Sequence, residues 1–250
     1  MPQYQFSSTY HLPAQTFRKS LLRSAIEPYQ SADFYARCFG RIKLRIDPAF
    51  TTILQQGLIP DGSRLLDLGC GQGLLASILL AAKTHAKSNC WPEDWPAPPA
   101  LVSIKGIDSV PLDIQRAQLA LGEQASFAVD DICMADFGEV DAVVILDVLH
   151  YIDYQAQEDV LRKVRQALAP NGRLVLRVGN AAAGAWFKAS YWYDRLIWLL
   201  RVGKDNQLYC RTLDNWLETL NGLGFDVKQV QMQHGVKLTN TMLVATITNS

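Results

Sequence analysis

The 250-residue chain carries 24 Lys+Arg against 24 Asp+Glu and is 49% hydrophobic. This balance fits one globular domain, or one with a small appendage, and excludes a disordered tail protein. A formal net charge of +0 supplies no global positive field, so nucleic acid and a membrane are poor default partners.

Residues 1–26 hold no acid but include Arg18, Lys19 and Arg23, a composition shared with organelle transit peptides. The first ten residues lack the charge and the apolar run of a secretory signal, and the chain is read as cytoplasmic. Residues 1–60 read as a helical, aromatic N-terminal cap with a basic cluster at Arg37, Arg41, Lys43 and Arg45 before Pro48. Such a cluster is a solvated face, or it meets an acidic carrier protein or a substrate carboxylate.

From residue 64 the pattern alternates, with short Val/Ile/Leu runs bounded by Gly or Asp and separated by segments of helical period. This predicts a parallel sheet covered by helices. The expected strands are Arg64–Leu68, Ser103–Asp108, Ser126–Val129, Asp141–Leu146, Arg173–Val178, Phe225–Gln231 and Met242–Thr248. Helices are expected to begin near Gly73, Pro111, Tyr154 and Thr212. After LRKVRQALAP, Asn171-Gly172 reads as the turn that returns the chain to the sheet. Only a loop separates the last two strands, which must therefore be antiparallel.

Three segments break the alternation. CWPEDWPAPPA, from Cys90 to Ala100, is a loop because four prolines fit neither helix nor central strand. Leu74–Ala82, the longest strongly apolar stretch, is about half of the roughly 20 residues that span a bilayer. The insertion at 180–204 packs Trp186, Phe187, Tyr191, Trp192, Tyr193 and Trp198 into one stretch. It reads as core, as a lid over an aromatic or acyl substrate or, most weakly, as an interfacial helix. Cys38, Cys70, Cys90, Cys133 and Cys210 are odd in number and never spaced C-x-x-C, which argues against a disulfide frame or a thiolate zinc site. No metal-ligand cluster is evident, since His85 and Cys90 lack matching partners.

The chemistry concentrates in RLLDLGCGQGLLA, Arg64 to Ala76, an apolar strand ending at Asp67, then Gly69, Gly71 and Gly73, then a helix. Such a turn lets backbone approach a ligand, and the helix start favours an anionic group. The spacing is G-x-G-x-G where the pyrophosphate fingerprint wants G-x-G-x-x-G. Asp67 is awkward beside a pyrophosphate but useful for an ammonium. Asp108 ends the second strand where a carboxylate can accept from vicinal ribose hydroxyls. Asp130, Asp131 and Ile132 follow the third strand, and Asp147 the fourth. A ligand with an amino group, a carboxylate, a ribose and an adenine satisfies these residues together. As an alternative, any one of the aspartates caps a helix.

LLDLGCGQGLL, GIDSVPLDIQRA, VDDI, DAVVILDVLHYID and LRKVRQALAPNGRLVLRV resemble the successive motifs of class I S-adenosylmethionine-dependent methyltransferases of the small-molecule type. The resemblance covers about residues 62–180 plus the last two strands. It implies an α/β, Rossmann-like, seven-stranded and mostly parallel sheet with an antiparallel last strand, here in a domain over residues 61–250. By motif, Asp67, Gly69, Gly71 and Gly73 would hold the methionyl end, Asp108 the ribose, and Asp130 or Asp131 with Ile132 the adenine, with Cys70 and Ser109 also among the cofactor-binding residues. Asp131 is favoured as the adenine partner. The turn from Asp147 to His150 would separate cofactor from acceptor. A second resemblance, carried by GRIKLRIDPAF, VVILDVLHYIDYQAQE and LRVGNAAAG, is to methyltransferases of bacterial aryl-polyene pigment assembly, and implies an aromatic acceptor, free or on an acyl carrier protein.

Transfer from a sulfonium is an in-line displacement with a neutral leaving group, so the protein mainly supplies alignment and, for a protonated acceptor, a base. His150 is the first candidate base and Tyr151 the next, with His234 as weak. A histidine that bonds a backbone carbonyl is the competing reading of His150. The rival functions are a nicotinamide-dependent oxidoreductase, disfavoured by the glycine spacing and Asp67, and a cofactor-binding scaffold without activity.

Overall fold

A computed structural model describes residues 14–88, 91–182, 207–232 and 240–247. Three helices precede the sheet: α1 (Ala14–Ile26), α2 (Phe34–Ile46) and α3 (Pro48–Gln55), with a 3-10 turn at Glu27–Gln30. Asp33 caps α2 by accepting from the Ala36 N–H, and Asp47 caps α3 through the Ala49 N–H, with Pro48 at the first turn. There follow β1 (Arg64–Leu68), α4 (Leu74–Lys87), β2 (Ser103–Asp108), α5 (Pro111–Leu121), β3 (Ser126–Val129) and β4 (Val140–Leu146). The chain continues with α6 (Tyr154–Ala167), β5 (Leu168–Gly179), α7 (Leu213–Gly222), β6 (Phe225–Val230) and β7 (Asn240–Ile247).

The seven strands lie in the order β3-β2-β1-β4-β5-β7-β6, with β7 antiparallel to both of its neighbours and the other pairs parallel. Alternate residues of the central strands enter two cores. Leu65, Ala142, Val144 and Val175 face the layer of α1 to α5, while Leu66, Leu68, Val143, Ile145, Leu174 and Leu176 face α6 and α7. Burial on both faces explains why RLLDL is apolar almost throughout. The N-terminal helices thus share a core with one face of the sheet, Phe17, Leu21, Leu44 and Phe50 joining Leu75 and Ile78 of α4.

Two details depart from the sequence expectation. The strand β5 starts five residues earlier than Arg173, because Leu168 pairs with Val140 before the register jumps to Ala142 opposite Arg173. Asn171-Gly172 is therefore a bulge inside the strand, with Asn171 at φ 64, and not a turn ahead of it. The proline-rich loop is irregular from Trp91 onward, and its Trp91 and Trp95 rings meet Phe17 edge-on at 5.4 and 5.5 Å. That loop is a brace for α1 and stands apart from the chemistry. Residues 183–206, which hold all the aromatic side chains of the 180–204 insertion, and His234 lie outside the described residues. No helix among the described residues is long and apolar enough to cross a membrane.

Candidate functional site

The carboxyl ends of β1, β2, β3 and β4 open into one cleft of about 340 Å³. Parallel strands with helices on both faces leave their tips as an uncovered edge, which is where ligands of such sheets bind. Gly69, Gly71 and Gly73 all take positive φ (74, 53 and 78°), so the loop after β1 alternates in handedness. The Gly69 and Cys70 N–H groups both donate to the Ile107 carbonyl at 2.7 and 3.0 Å, and the Gly71 N–H donates to Asp108 Oδ2 at 2.8 Å. These donors are spent on holding the loop to β2. Gly73 does not line the cleft; it caps α4, and a Cβ there would press on the Phe127 ring at 3.0 Å.

Gly69, Cys70 and Gly71 line the cleft beside Asp67 and Asp108. Asp67 is 5% exposed, and burial, followed by the neighbouring Asp108 carboxylate, pushes its pKa up to about 7. Neither a cation nor a hydrogen-bond donor among the described residues offsets this. Asp108 is oriented at both oxygens, since Oδ1 accepts from the Val110 N–H at 2.9 Å and Oδ2 from Gly71. A carboxylate fixed in this way at the tip of β2 is an acceptor pair that suits two vicinal hydroxyls. Ser109, Asp130, Asp131, Ile132 and Asp147 also line the cleft. Asp130 Oδ1 accepts from the Asp131 N–H at 2.8 Å and Asp131 Oδ1 from the Cys133 N–H at 2.9 Å, so both acids are exposed and fixed, and Ile132 is buried between them and the second core.

The two candidate bases part company. Tyr151 lines the cleft, whereas His150 lines a separate small cavity with Leu149, Arg177, Val178, Gly179, Cys210 and Trp216. The His150 Nε2 is buried without a partner among the described residues, and burial pulls its pKa down to about 4. The expectation that His150 meets the ligand as a base is therefore corrected. On the 3-10 turn Leu149–Tyr151 the two rings lie against each other with centroids 4.2 Å apart, Tyr151 on the cleft side and His150 behind it.

Several cleft residues were not legible in the sequence, although Lys43 belongs to the basic cluster that the sequence offered to a substrate carboxylate. Tyr35, Phe39 and Lys43 from α2 and Phe50 from α3 form a wall, with the Tyr35 and Phe39 rings stacked at 5.9 Å. Arg177 of β5 sits at 2% exposure between two carboxylates. It reaches Asp47 on one side (Nη2 to Oδ2 2.8 Å) and Asp147 on the other (Nε to Oδ1 2.9 Å). Lys43 pairs with Asp47 at 2.8 Å, and the Asn240 Nδ2 donates to Asp147 at 2.8 Å. The two cations hold the Asp47 carboxyl far below the usual range despite its burial. Asp147 takes φ 58, a strained value for aspartate that this network holds in place. Gln72 joins the loop to the cap, its Nε2 donating to the Ala36 carbonyl at 2.9 Å while its own carbonyl accepts from the Tyr29 hydroxyl at 2.7 Å. Cys38, Cys70 and Cys133 are free thiols, and no group of metal ligands occurs among the described residues.

The fold defines a Rossmann-like α/β protein with a cleft across its strand tips. The chain matches the methyltransferase domain family over residues 29–230, and it belongs to that family. Among curated proteins it is similar to a carboxy-S-adenosyl-L-methionine synthase of Chromohalobacter salexigens, 27% identical over 211 residues, or 75% of this chain and 73% of that protein. Among solved structures, human N-acetylserotonin methyltransferase in complex with SAM superposes with a TM-score of 0.56 at 18% identity, covering 99% of this chain and 63% of that one. This chain thus spans less than two thirds of the human enzyme. Magnesium protoporphyrin IX methyltransferase from Synechocystis PCC 6803 with bound SAM gives a TM-score of 0.54 at 15% identity, covering 96% and 99%. These likenesses carry the fold.

Proposed function

We propose that the protein transfers a methyl group from S-adenosyl-L-methionine to a small acceptor with an aromatic ring. The observation that carries this reading is the convergence of Asp67, Asp108 and the Asp130–Ile132 turn on one cleft whose opposite wall is aromatic. The donor set fits the cofactor's chemistry. Asp67, buried with no counter-charge among the described residues, takes the ammonium. Asp108, pre-oriented by two backbone N–H groups, takes the ribose hydroxyls. Asp130 or Asp131 accepts from the adenine amino group, while Ile132 packs on the ring.

When bound, the cofactor supplies an electrophilic methyl on a sulfonium and leaves as a neutral thioether. The chain's part is alignment and exclusion of water. Tyr35, Phe39 and Phe50 hold the acceptor ring, and an aryl acid or phenol, free or on a carrier thiol, matches that wall. Tyr151 holds the acceptor's nucleophilic atom by a hydrogen bond. Arg177 acts through Asp147 and Asp47, keeping the β4 turn and the start of α3 at a fixed separation.

The test pairs calorimetric titration with S-adenosylhomocysteine and turnover of labelled S-adenosylmethionine on a panel of phenols and aryl acids. Binding that is lost in Gly71→Val, together with turnover on at least one acceptor, supports the reading. Binding without turnover on any acceptor points to a scaffold, and failure of the parent to bind overturns it.

A further inference from the structure

The helix α2 has two working faces. One carries Phe39 and Lys43 into the cleft wall. The other leaves Phe34 73%, Ile42 59% and Ile46 47% exposed, interleaved with Arg37, Arg41 and Arg45, of which Arg41 and Arg45 are exposed. At 3.6 residues per turn Phe34, Arg41 and Arg45 fall on one outward stripe about 17 Å long, and Ile42 and Ile46 fall on the flank between that stripe and the cleft-facing Phe39 and Lys43. Tyr35, half exposed and also a cleft residue, stands at the edge between the two faces and marks the mouth of the cleft there.

The segment that carries this stripe is rich in cations. Residues 1–46 hold seven Lys and Arg but only Glu27 and Asp33, so that the neutral whole has its excess of acid elsewhere. Asp33 is paired with Arg116 at 2.7 Å, and Arg116 also lies over the Tyr35 ring at 4.5 Å. Arg18 of α1 reaches the end of α2, donating to the Arg45 carbonyl at 3.2 Å, which adds a further cation at that end.

We infer that the outward face of α2 docks the protein on an anionic lipid bilayer, with Phe34, Ile42 and Ile46 in the acyl boundary, the arginines on the phosphates and the cleft mouth beside the surface. The apolar side chains project from a convex helix rather than line a groove, which suits a fluid surface better than a fixed partner. Long arginine stems let the guanidinium reach headgroups while apolar neighbours sink. The expectation of a chain without membrane contact came from a net charge that conceals this polarity. If the methyl-transfer reading holds, the acceptor is an amphipath that enters from the bilayer.

The test is sedimentation of the full chain with vesicles of phosphatidylcholine alone or mixed equally with phosphatidylglycerol, at low and high salt. Pelleting with the mixed vesicles alone, weakened by salt, is expected, each arginine near the surface contributing roughly five-fold. Arg41→Glu with Arg45→Glu should lower the partition at least about 20-fold, and Ile42→Ser with Ile46→Ser about 10-fold. None of these four residues lines the cleft, so S-adenosylhomocysteine affinity should stay at the parental value and separates loss of docking from loss of fold. A parent that ignores both vesicles, or variants that pellet equally well, overturns the proposal. A concentration-dependent dimer that the isoleucine changes abolish, or docking on an acidic protein without vesicle binding, assigns the face to another occupant and overturns it too.

Discussion

The two walls of the cleft are built in opposite ways. The aspartate wall comes from strand tips and the turns that directly follow them, so Asp67, the glycine loop and Asp108 are brought together by β1 pairing with β2. The aromatic wall comes from α2 and α3 and is fastened to the sheet by Arg177, whose contacts to Asp47 span 130 residues of sequence. A wall made of adjacent segments has its chemistry written in a short motif. A wall assembled by distant ones shows only its components. The former is held by backbone hydrogen bonds, and the latter by a shared apolar core, the Gln72 contacts and one buried cation.

The largest effect should come from breaking that fastening. Arg177→Met leaves the Asp47 and Asp147 carboxylates facing each other in a buried site, which costs about 3–5 kcal/mol. Urea denaturation should show the loss, and adding Asp47→Asn should recover part of it, because the pair shares one interaction. Full additivity of the two changes would show that the walls are not joined there.

The aspartate wall should break next, through its backbone. A Cβ on Gly69 would lie 2.2 Å from Val148 Cγ2 at a residue with φ 74. Gly69→Ala should cost roughly 2–4 kcal/mol and abolish S-adenosylhomocysteine binding. Val148→Ala should restore part of the stability but not the strained φ, and calorimetry on the double variant reads both. A milder change, Asp108→Ala, frees the Gly71 and Val110 N–H groups and removes the proposed ribose acceptor. Affinity should fall about 10²-fold with the fold retained.

These contrasts follow what could be read in advance. The strands β1, β2 and β3 match the sequence reading at both ends, since buried parallel strands are apolar runs bounded by Gly and Asp. The bulge in β5 escaped because Asn171-Gly172 has the same signature in a bulge as in a turn. Arg177 escaped because an arginine inside a strand gives no sign of two carboxylate partners far away in sequence. Adjacency puts His150 and Tyr151 side by side, as their rings are, but carries no sign that only Tyr151 reaches the cleft. The Tyr151→Phe variant should lower turnover about 10-fold without altering S-adenosylhomocysteine affinity, whereas His150→Gln should change turnover less than about 3-fold.

The smallest net effect, and the most discriminating between the walls, lies in pH. Asp67 stays protonated up to about pH 7 in the ligand-free fold, against an ordinary carboxyl near 3.8. Between those values the folded state binds the extra proton, so this group's contribution to stability is present at low pH and lost as pH rises toward 7. His150 has the opposite sign. Its folded pKa of about 4 lies below the ordinary 6.5, so between these values the unfolded state binds the extra proton and stability rises with pH. Over about pH 4.5 to 6 the two slopes oppose each other and nearly cancel in the ligand-free parent. Asp141, held near 2 by Arg64, acts only below this window. Thermal melts should therefore be almost flat with pH in the parent, fall with rising pH in His150→Gln, and rise in Asp67→Asn. Saturating S-adenosylhomocysteine places an ammonium on Asp67 and lowers its pKa, so the liganded parent should melt like Asp67→Asn, and its affinity should grow as pH approaches 7. Melts of the liganded and ligand-free parent that run parallel across this range would separate Asp67 from the ammonium.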